Sequence, residues 1–388
     1  MFQFNDTEVA FKIKSNFELK KAYWLFRLLS RKFMVKSGKY AITFVNKIGI
    51  PVGWIVKPTV YRQFCGGETI EDCIPVIDKL AVFNVRSVLD YSVEGKDNDE
   101  DIEKALNETL KAVEFAGANP NIPFSVFKPT AFANCKALEE LSTSPAPSQE
   151  TQKEGEKFRK RINILCNKAY SLSIPIMIDA EDSFYQDFID KVVMEMMMLY
   201  NHKKAIVFNT YQMYRWDRMQ VLRDDLSKAI RDNIYLGAKF VRGAYMERER
   251  ARALKMNYRD PIHTDKESTD RDFNEALQFS IENIDRISIF NGTHNEYSCS
   301  FLTELMQKHN IKPDDNRVWF SQLYGMSDHI SFNLAEKGYN VAKYLPYGPV
   351  RHVLPYLIRR TEENTSVAGQ TGRELSLIIK ELKRRKNE

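Results

Sequence analysis

At 388 residues, 43% hydrophobic and 28% charged, the chain has the composition of a globular protein with a sizeable core or two domains. Its net charge of +5 is small for this length and gives no reason to expect nucleic acid as a partner. Five scattered cysteines without a CxxC, and six histidines without an HExxH, argue against a disulfide framework and against a metal site.

The start, Met1–Glu8, lacks the basic and apolar stretches of a signal peptide, and its acids argue against a transit peptide. No apolar run is long enough to span a bilayer, so the cytoplasm is the expected compartment. Residues 1–84 read as a helical region in which Lys20, Lys21, Arg27, Arg31, Lys32, Lys36 and Lys39 interleave with Trp24, Phe26 and Phe33. A helical cap with a solvated basic face accounts for this pattern. Peripheral contact with an anionic membrane surface, at the inner face, is the alternative to that cap, and it requires aromatic and basic residues together on one helix.

From residue 85 the pattern changes to eight short β-rich runs: Val85–Glu94, Phe124–Phe132, Ile174–Asp182, Ala205–Met213, Ala238–Met246, Ser288–Glu296, Arg317–Met326 and Val341–Gly348. Amphipathic stretches such as Phe188–Tyr200 and Arg271–Ile284 separate them. Eight strands alternating with helices predict an α/β fold, a (β/α)8 TIM-like barrel over residues 85–364 with a helical tail over 365–388. An open doubly wound sheet would carry a Gly-rich turn after its first strand, and Glu94-Gly-Lys-Asp does not supply one. Leu141–Lys157, rich in Ser, Pro, Glu and Lys, is expected to be a mobile loop, and Lys380–Glu388 a solvated helix end.

Functional groups in such barrels come from the C-terminal strand ends. Here these offer Asp90 and Glu94, Lys128, Asp179 and Glu181, Asn209 and Gln212, Lys239 and Arg242, Thr293-His294-Asn295, Gln322, and Tyr344. Asp182 is expected to cap the helix after the third strand. Beyond a last strand ending near Tyr344, a helix carries Tyr356, Arg359, Arg360 and Glu363 at i, i+3, i+4 and i+7, hence on one face. A lone Arg pair is more often a solvated face, and a lone His294 more often structural; the convergence on one rim points to a site. Arginine forks suit a small carboxylate. Lys128, Lys239, Arg242, Arg359 and Arg360 together exceed what one carboxylate needs, which suggests a phosphate-bearing cofactor beside it. In Arg242-Gly-Ala-Tyr, two small residues let backbone amides approach a pyrophosphate.

These segments resemble the proline dehydrogenase family from about Val85 to Asn364. The resemblance rests on Leu89-Asp-Tyr-Ser-Val-Glu94, Lys128, Ile178-Asp-Ala-Glu181, Phe208-Asn-Thr-Tyr-Gln212, Val241-Arg-Gly-Ala-Tyr245, Thr293-His-Asn295, Gln322-Leu-Tyr-Gly-Met326 and Tyr344 through Asn364. It implies FAD-dependent oxidation of L-proline to pyrroline-5-carboxylate, the first step of proline catabolism, with electrons passed to a quinone. It implies a single-function, mitochondrial-type form without the aldehyde dehydrogenase half of bifunctional relatives. Arg359 and Arg360 would clamp the substrate carboxylate with Lys128 as a third cation. Tyr344, Tyr356 and Leu323 would pack on the pyrrolidine ring, and Glu94 would pair with Arg359. Asp179, Asn209, Gln212, Lys239, Val241, Arg242, Gly243, Ala244, Thr293, His294, Asn295, Gln322 and Glu363 would contact or support FAD. Lys239, Asn209 and Met246 depart from the bacterial pattern, where Arg, Gln and Trp are common. Hydroxyproline is the alternative substrate, against which the Tyr344 phenol argues; a non-catalytic basic barrel is the alternative from another class.

Overall fold

Each of the eight β-rich runs coincides with or overlaps one parallel strand, β5 and β6 beginning slightly earlier than read: β1 Val85–Tyr91, β2 Phe124–Phe127, β3 Ile176–Ile178, β4 Val207–Gln212, β5 Leu236–Val241, β6 Ile287–Gly292, β7 Val318–Leu323 and β8 Val341–Tyr347. They close into a barrel in chain order, as expected. The computed structural model describes residues 2–29, 56–92, 98–366 and 370–388, and no side chain from 361 to 371. Strand β8 runs three residues beyond Tyr344, pairing with β1 from Val85↔Val341 to Tyr91↔Tyr347. Among the described residues, no helix is long and apolar enough to cross a membrane.

The chain forms two compact units, one of residues 1–2 and 94–321, the other of residues 3–93 and 322–388. These bounds differ from the three spans read along the sequence. In the first unit, the inward positions of β2, β4, β6 and β7 are aromatic: Phe124 meets Phe208, Phe290 and Trp319 edge-on at 5.4, 5.0 and 5.4 Å. Such T-shaped contacts add to the burial of large apolar faces. Gly237 makes room for this plug, since a Cβ there would lie 2.6 Å from the Phe208 ring and 2.4 Å from the Val207 carbonyl.

The expected mobile loop at Leu141–Lys157 is mostly helix, and the reason is capping. Helix Cys135–Thr143 ends there and helix Gln149–Ser171 begins, leaving only a short turn. Ser148 accepts the Thr151 N–H at 3.2 Å, while the Glu140 carboxylate accepts from the Ser148 N–H at 2.7 Å and the Thr151 hydroxyl at 2.6 Å. Thr151, Gly155, Phe158, Ile162 and Leu165 then form a buried stripe. The polar composition belongs to the outer face.

In the second unit, helices Thr7–Phe11 and Asn16–Leu29 pack through Ala10, Phe11, Leu19, Ala22 and Phe26 on Leu377 and Ile378 of helix Gln370–Asn387. The chain's last residues are therefore not simply solvated. Arg385 donates to the Phe11 and Lys14 carbonyls at 2.9 and 2.8 Å, and to the fully buried Glu381 at 2.7 Å. Removing the Ser148 cap tests the helical insertion. Ser148→Ala is expected to cost about 0.5–2 kcal/mol in denaturant unfolding, whereas a mobile loop would leave stability unchanged.

Candidate active site

Strand alternation decides which rim residues face inward. In β2, the inward Phe124 places Lys128 on the same face four residues on; in β5, Gly237 does the same for Lys239. Both ammonium groups converge on Asp179, just past β3, at 2.9 Å from Lys128 and 2.5 Å from Lys239. Lys239 and Asp179 are buried and Lys128 is partly exposed. Burial works to raise the Asp179 carboxyl pKa, but the two cations outweigh it and hold it well below the usual carboxylate range. Beside this triad, buried Glu181 accepts from the Thr130 hydroxyl at 2.8 Å and the Tyr245 phenol at 3.2 Å. Burial pushes its pKa up.

At the end of β4, the Gln212 side chain donates to the Glu181 carbonyl at 3.0 Å, while its Oε1 is buried without a partner among the described residues. Across from it, the Val241 and Arg242 carbonyls accept the Met213 and Tyr214 N–H groups, both at 2.8 Å. The chain then bends at Gly243, where φ is +121° and a Cβ would lie 2.5 Å from the Tyr214 ring, so a side chain is excluded. Gly243 and Ala244 are exposed. Arg242 turns outward, donating to Asp270 at 2.7 Å, Thr293 at 2.7 Å and Ser298 at 3.0 Å, over the Phe273 ring at 4.3 Å. Asn295 caps helix Glu296–Lys308 by accepting from the Ser298 N–H at 3.0 Å. His294 is half-buried between Thr293 and this cap. The sequence tally of spare cations is thus too generous, because Lys128, Lys239 and Arg242 all have carboxylate partners.

Two expected cofactor residues face away from the barrel interior. The Asn209 amide donates to Asp190 of helix Ser183–Tyr200 at 3.0 Å, and its oxygen accepts the Thr210 N–H. Gln322 accepts from Ser331 of helix Asp328–Glu336 at 2.7 Å. Since Phe208 and Trp319 point inward, their neighbours at odd spacing point to the helix layer. On β4, Gln212 holds the inward polar position.

In the second unit, Tyr356 is buried in an apolar cluster with Phe64, Val353 and Leu357, against which Leu323 packs. Arg360 lies 5.2 Å over the Tyr356 ring, a cation–π contact that fixes one arginine. Arg359 and Arg360 are half-buried on helix Val350–Ser366, and Tyr344 of β8 is 7% exposed. Glu94 and the Glu363 side chain lie outside the described residues.

Sequence reasoning missed Glu249. This fully buried carboxylate accepts from the Ser183 N–H and, at 2.6 Å, from its hydroxyl, doing the capping expected of Asp182. Asp182 stands at the N-cap position without a capping bond and pairs with Arg248 at 3.0 Å. Burial lifts its pKa to about 7. Glu249 lies 66 residues from Ser183, and no local signal links them.

The Asp179 triad yields a signed expectation. A carboxylate with a depressed pKa stabilises the fold above its unfolded value, near 4, and this stabilisation is lost as pH falls below it. Asp179→Asn should cost about 3–5 kcal/mol at pH 7 by leaving two ammonium groups unanswered, and the variant should lose less further stability below pH 4 than the parent. Urea unfolding across pH checks both.

A family described as Proline dehydrogenase matches residues 73–373. The mitochondrial proline dehydrogenase 1 of Dictyostelium discoideum is 30% identical, over 98% of this chain and 74% of its own. A hydroxyproline dehydrogenase of Xenopus laevis is 31% identical, over 97% and 88%. Among solved structures, proline utilization A from Bdellovibrio bacteriovorus shares the fold with a TM-score of 0.72 at 19% identity, covering 94% of this chain and 37% of the larger one. The chain belongs to the proline dehydrogenase family of enzymes.

Proposed function

We propose that this chain oxidises L-proline to 1-pyrroline-5-carboxylate with FAD as cofactor and a quinone as the final electron acceptor. The observation that carries this reading is the half-buried arginine pair of helix Val350–Ser366, with Arg360 over the Tyr356 ring and Tyr356 itself in the apolar cluster on which Leu323 packs. A planar fork reads the proline carboxylate, while the apolar cluster receives the ring. By resemblance to the family, Lys128 would serve as a third cation and Glu94 as the partner of Arg359. Like charge nearby disfavours the protonated amine, so the lysine and arginines help present the free base.

The residues at the β3–β6 ends fit a flavin. A buried, unpartnered acceptor at Gln212 suits the N–H edge of an isoalloxazine ring. The exposed backbone at Gly243 and Ala244 suits close approach of a pyrophosphate. Asp179, Lys239, Val241, Arg242, Thr293, His294, Asn295 and Glu363 hold or brace the group. Bound FAD supplies the acceptor for a hydride from proline; the protein supplies binding, orientation and electrostatics.

The exposed face of helix Asn16–Leu29 carries Phe17, Trp24 and Leu28 together with Lys20, Lys21 and Arg27. It suits loose attachment of the enzyme to the inner, anionic face of a membrane holding the quinone. The remainder of the basic segment, from residue 30 to 47, lies outside the described residues.

Proline should bleach the flavin absorbance of the purified protein; a protein that takes up no flavin on reconstitution would overturn the reading. Arg359→Met and Arg360→Met should each keep flavin and weaken proline use by about 2–5 kcal/mol in kcat/KM. Unchanged kinetics would make the pair a solvated helix face. Tyr344→Ser should shift the hydroxyproline-to-proline ratio of kcat/KM by roughly 1–3 kcal/mol toward hydroxyproline, and a fixed ratio would remove Tyr344 from the ring pocket.

A further inference from the structure

Helix Ser183–Tyr200 turns two polar side chains, Gln186 and Asp190, toward the outer side of β4 and the turn after β3. They stand four residues apart on one helical face, Gln186 buried and Asp190 partly so. Polar groups in such a place are costly unless each finds a partner, and here each does. Asp190 Oδ1 accepts from the Gln186 amide at 2.7 Å and from the Asn209 amide at 3.0 Å. Asp190 Oδ2 accepts from Arg218 at 2.6 Å. The Gln186 oxygen in turn accepts the Glu181 N–H at 2.8 Å.

The direction of each bond in this series is forced. A carboxylate only accepts and a backbone N–H only donates, so the Gln186 amide has a single orientation, nitrogen to Asp190 and oxygen to Glu181. The Glu181 carbonyl likewise only accepts, and it takes the Gln212 Nε2 at 3.0 Å. Turning the Gln212 amide over would set its oxygen against that carbonyl, two acceptors face to face. Its Oε1 therefore points away from Glu181, buried and without a partner among the described residues. Glu181 itself lies between the end of β3 and the start of the helix, in neither element. Gln186 holds its backbone, while Thr130 and Tyr245 hold its carboxylate.

We propose that Gln186 and Asp190 are positioning residues for the flavin. From the outer side of the barrel they hold the Glu181 backbone, and the Glu181 carbonyl holds the Gln212 amide with its oxygen toward an N–H of the isoalloxazine. The inference rests on the proposed flavin site and names the residues that aim its open acceptor. Asn209 acts from the same side, since its bond to Asp190 lets a β4 residue that faces away from the interior still bear on the cofactor. Buried Arg218 answers the Asp190 charge, which keeps that carboxylate an acceptor for both amides.

The test titrates the full chain, freed of flavin, with FAD and follows flavin fluorescence and the visible absorbance bands. Gln212→Leu should weaken flavin binding about two- to tenfold, the loss of one hydrogen bond, and shift the bands. Gln186→Leu should reproduce both changes although its side chain lies behind the barrel wall. Asp190→Asn, which keeps the shape but leaves one acceptor oxygen in place of two, should move both readouts in the same direction. In the Gln212→Leu background, Gln186→Leu should add nothing to either flavin readout, because its effect passes through that amide. Urea unfolding of the flavin-free variants separates a structural role, since any stability lost through Gln186→Leu should be the same in both backgrounds. Bands and affinity unchanged in Gln212→Leu, or in both Gln186→Leu and Asp190→Asn, would overturn the proposal and leave the enzymatic reading intact. Additive losses of flavin affinity in the double variant would do the same. A parent that takes up no flavin would overturn the flavin reading and the inference with it.

Discussion

A carboxylate held between two ammonium groups is the interaction on which the barrel rim depends. Taking Asp179 and Lys239 out of water is expensive, and the attraction among Asp179, Lys239 and the partly exposed Lys128 offsets the cost. The geometry is therefore stiff: if Asp179 moves away, two cations are left facing each other without their shared carboxylate. That stiffness ties the ends of β2, β3 and β5 together where functional groups must be held in place. A second lysine–aspartate–lysine triad occurs in the other unit, where Asp328 lies 2.8 Å from Lys14 and 2.9 Å from Lys343. There Lys343 is wholly buried and also donates to the Met326 carbonyl at 2.6 Å. That triad fastens the N-terminal segment to the residues after β7, whereas the first leaves Lys128 partly open to a ligand.

Much of this was legible along the chain because barrel strands combine β-branched runs with polar ends, and both are local signals. The parity of those ends was harder to read. Asn209 and Gln212 lie three apart on β4, so they cannot face the same way, and the inward aromatic at Phe208 settles which one reaches the rim. Gln322 fails by the same parity against Trp319. In the supposed loop at Leu141–Lys157, composition misled because Ser148 and Glu140 spend their polarity on capping, not on solvent. Glu249 was illegible for a different reason. A buried acid that caps a helix 66 residues away leaves no spacing to detect, and its sequence neighbours are all charged.

The bonds of Arg242 alter how the rim's charge should be understood. From sequence, its guanidinium looks like a free anion reader. In the fold it rivets β5 to Asp270, Thr293 and Ser298, and three of its donors are already spent. Lys128 and Lys239 are likewise answered by Asp179. An anionic ligand arriving here meets a small net charge and a set of fixed directions: the exposed backbone at Gly243 and Ala244 and Lys128 at the edge can donate to it, while the Gln212 acceptor answers a donor elsewhere on the ligand. Recognition at such a rim is therefore carried by hydrogen-bond geometry more than by net attraction. Exposed positive charge lies instead on helix Asn16–Leu29, at Lys20, Lys21 and Arg27, where the exposed Phe17, Trp24 and Leu28 accompany it. Charge that must steer is left on the surface, and charge that must orient is neutralised and buried.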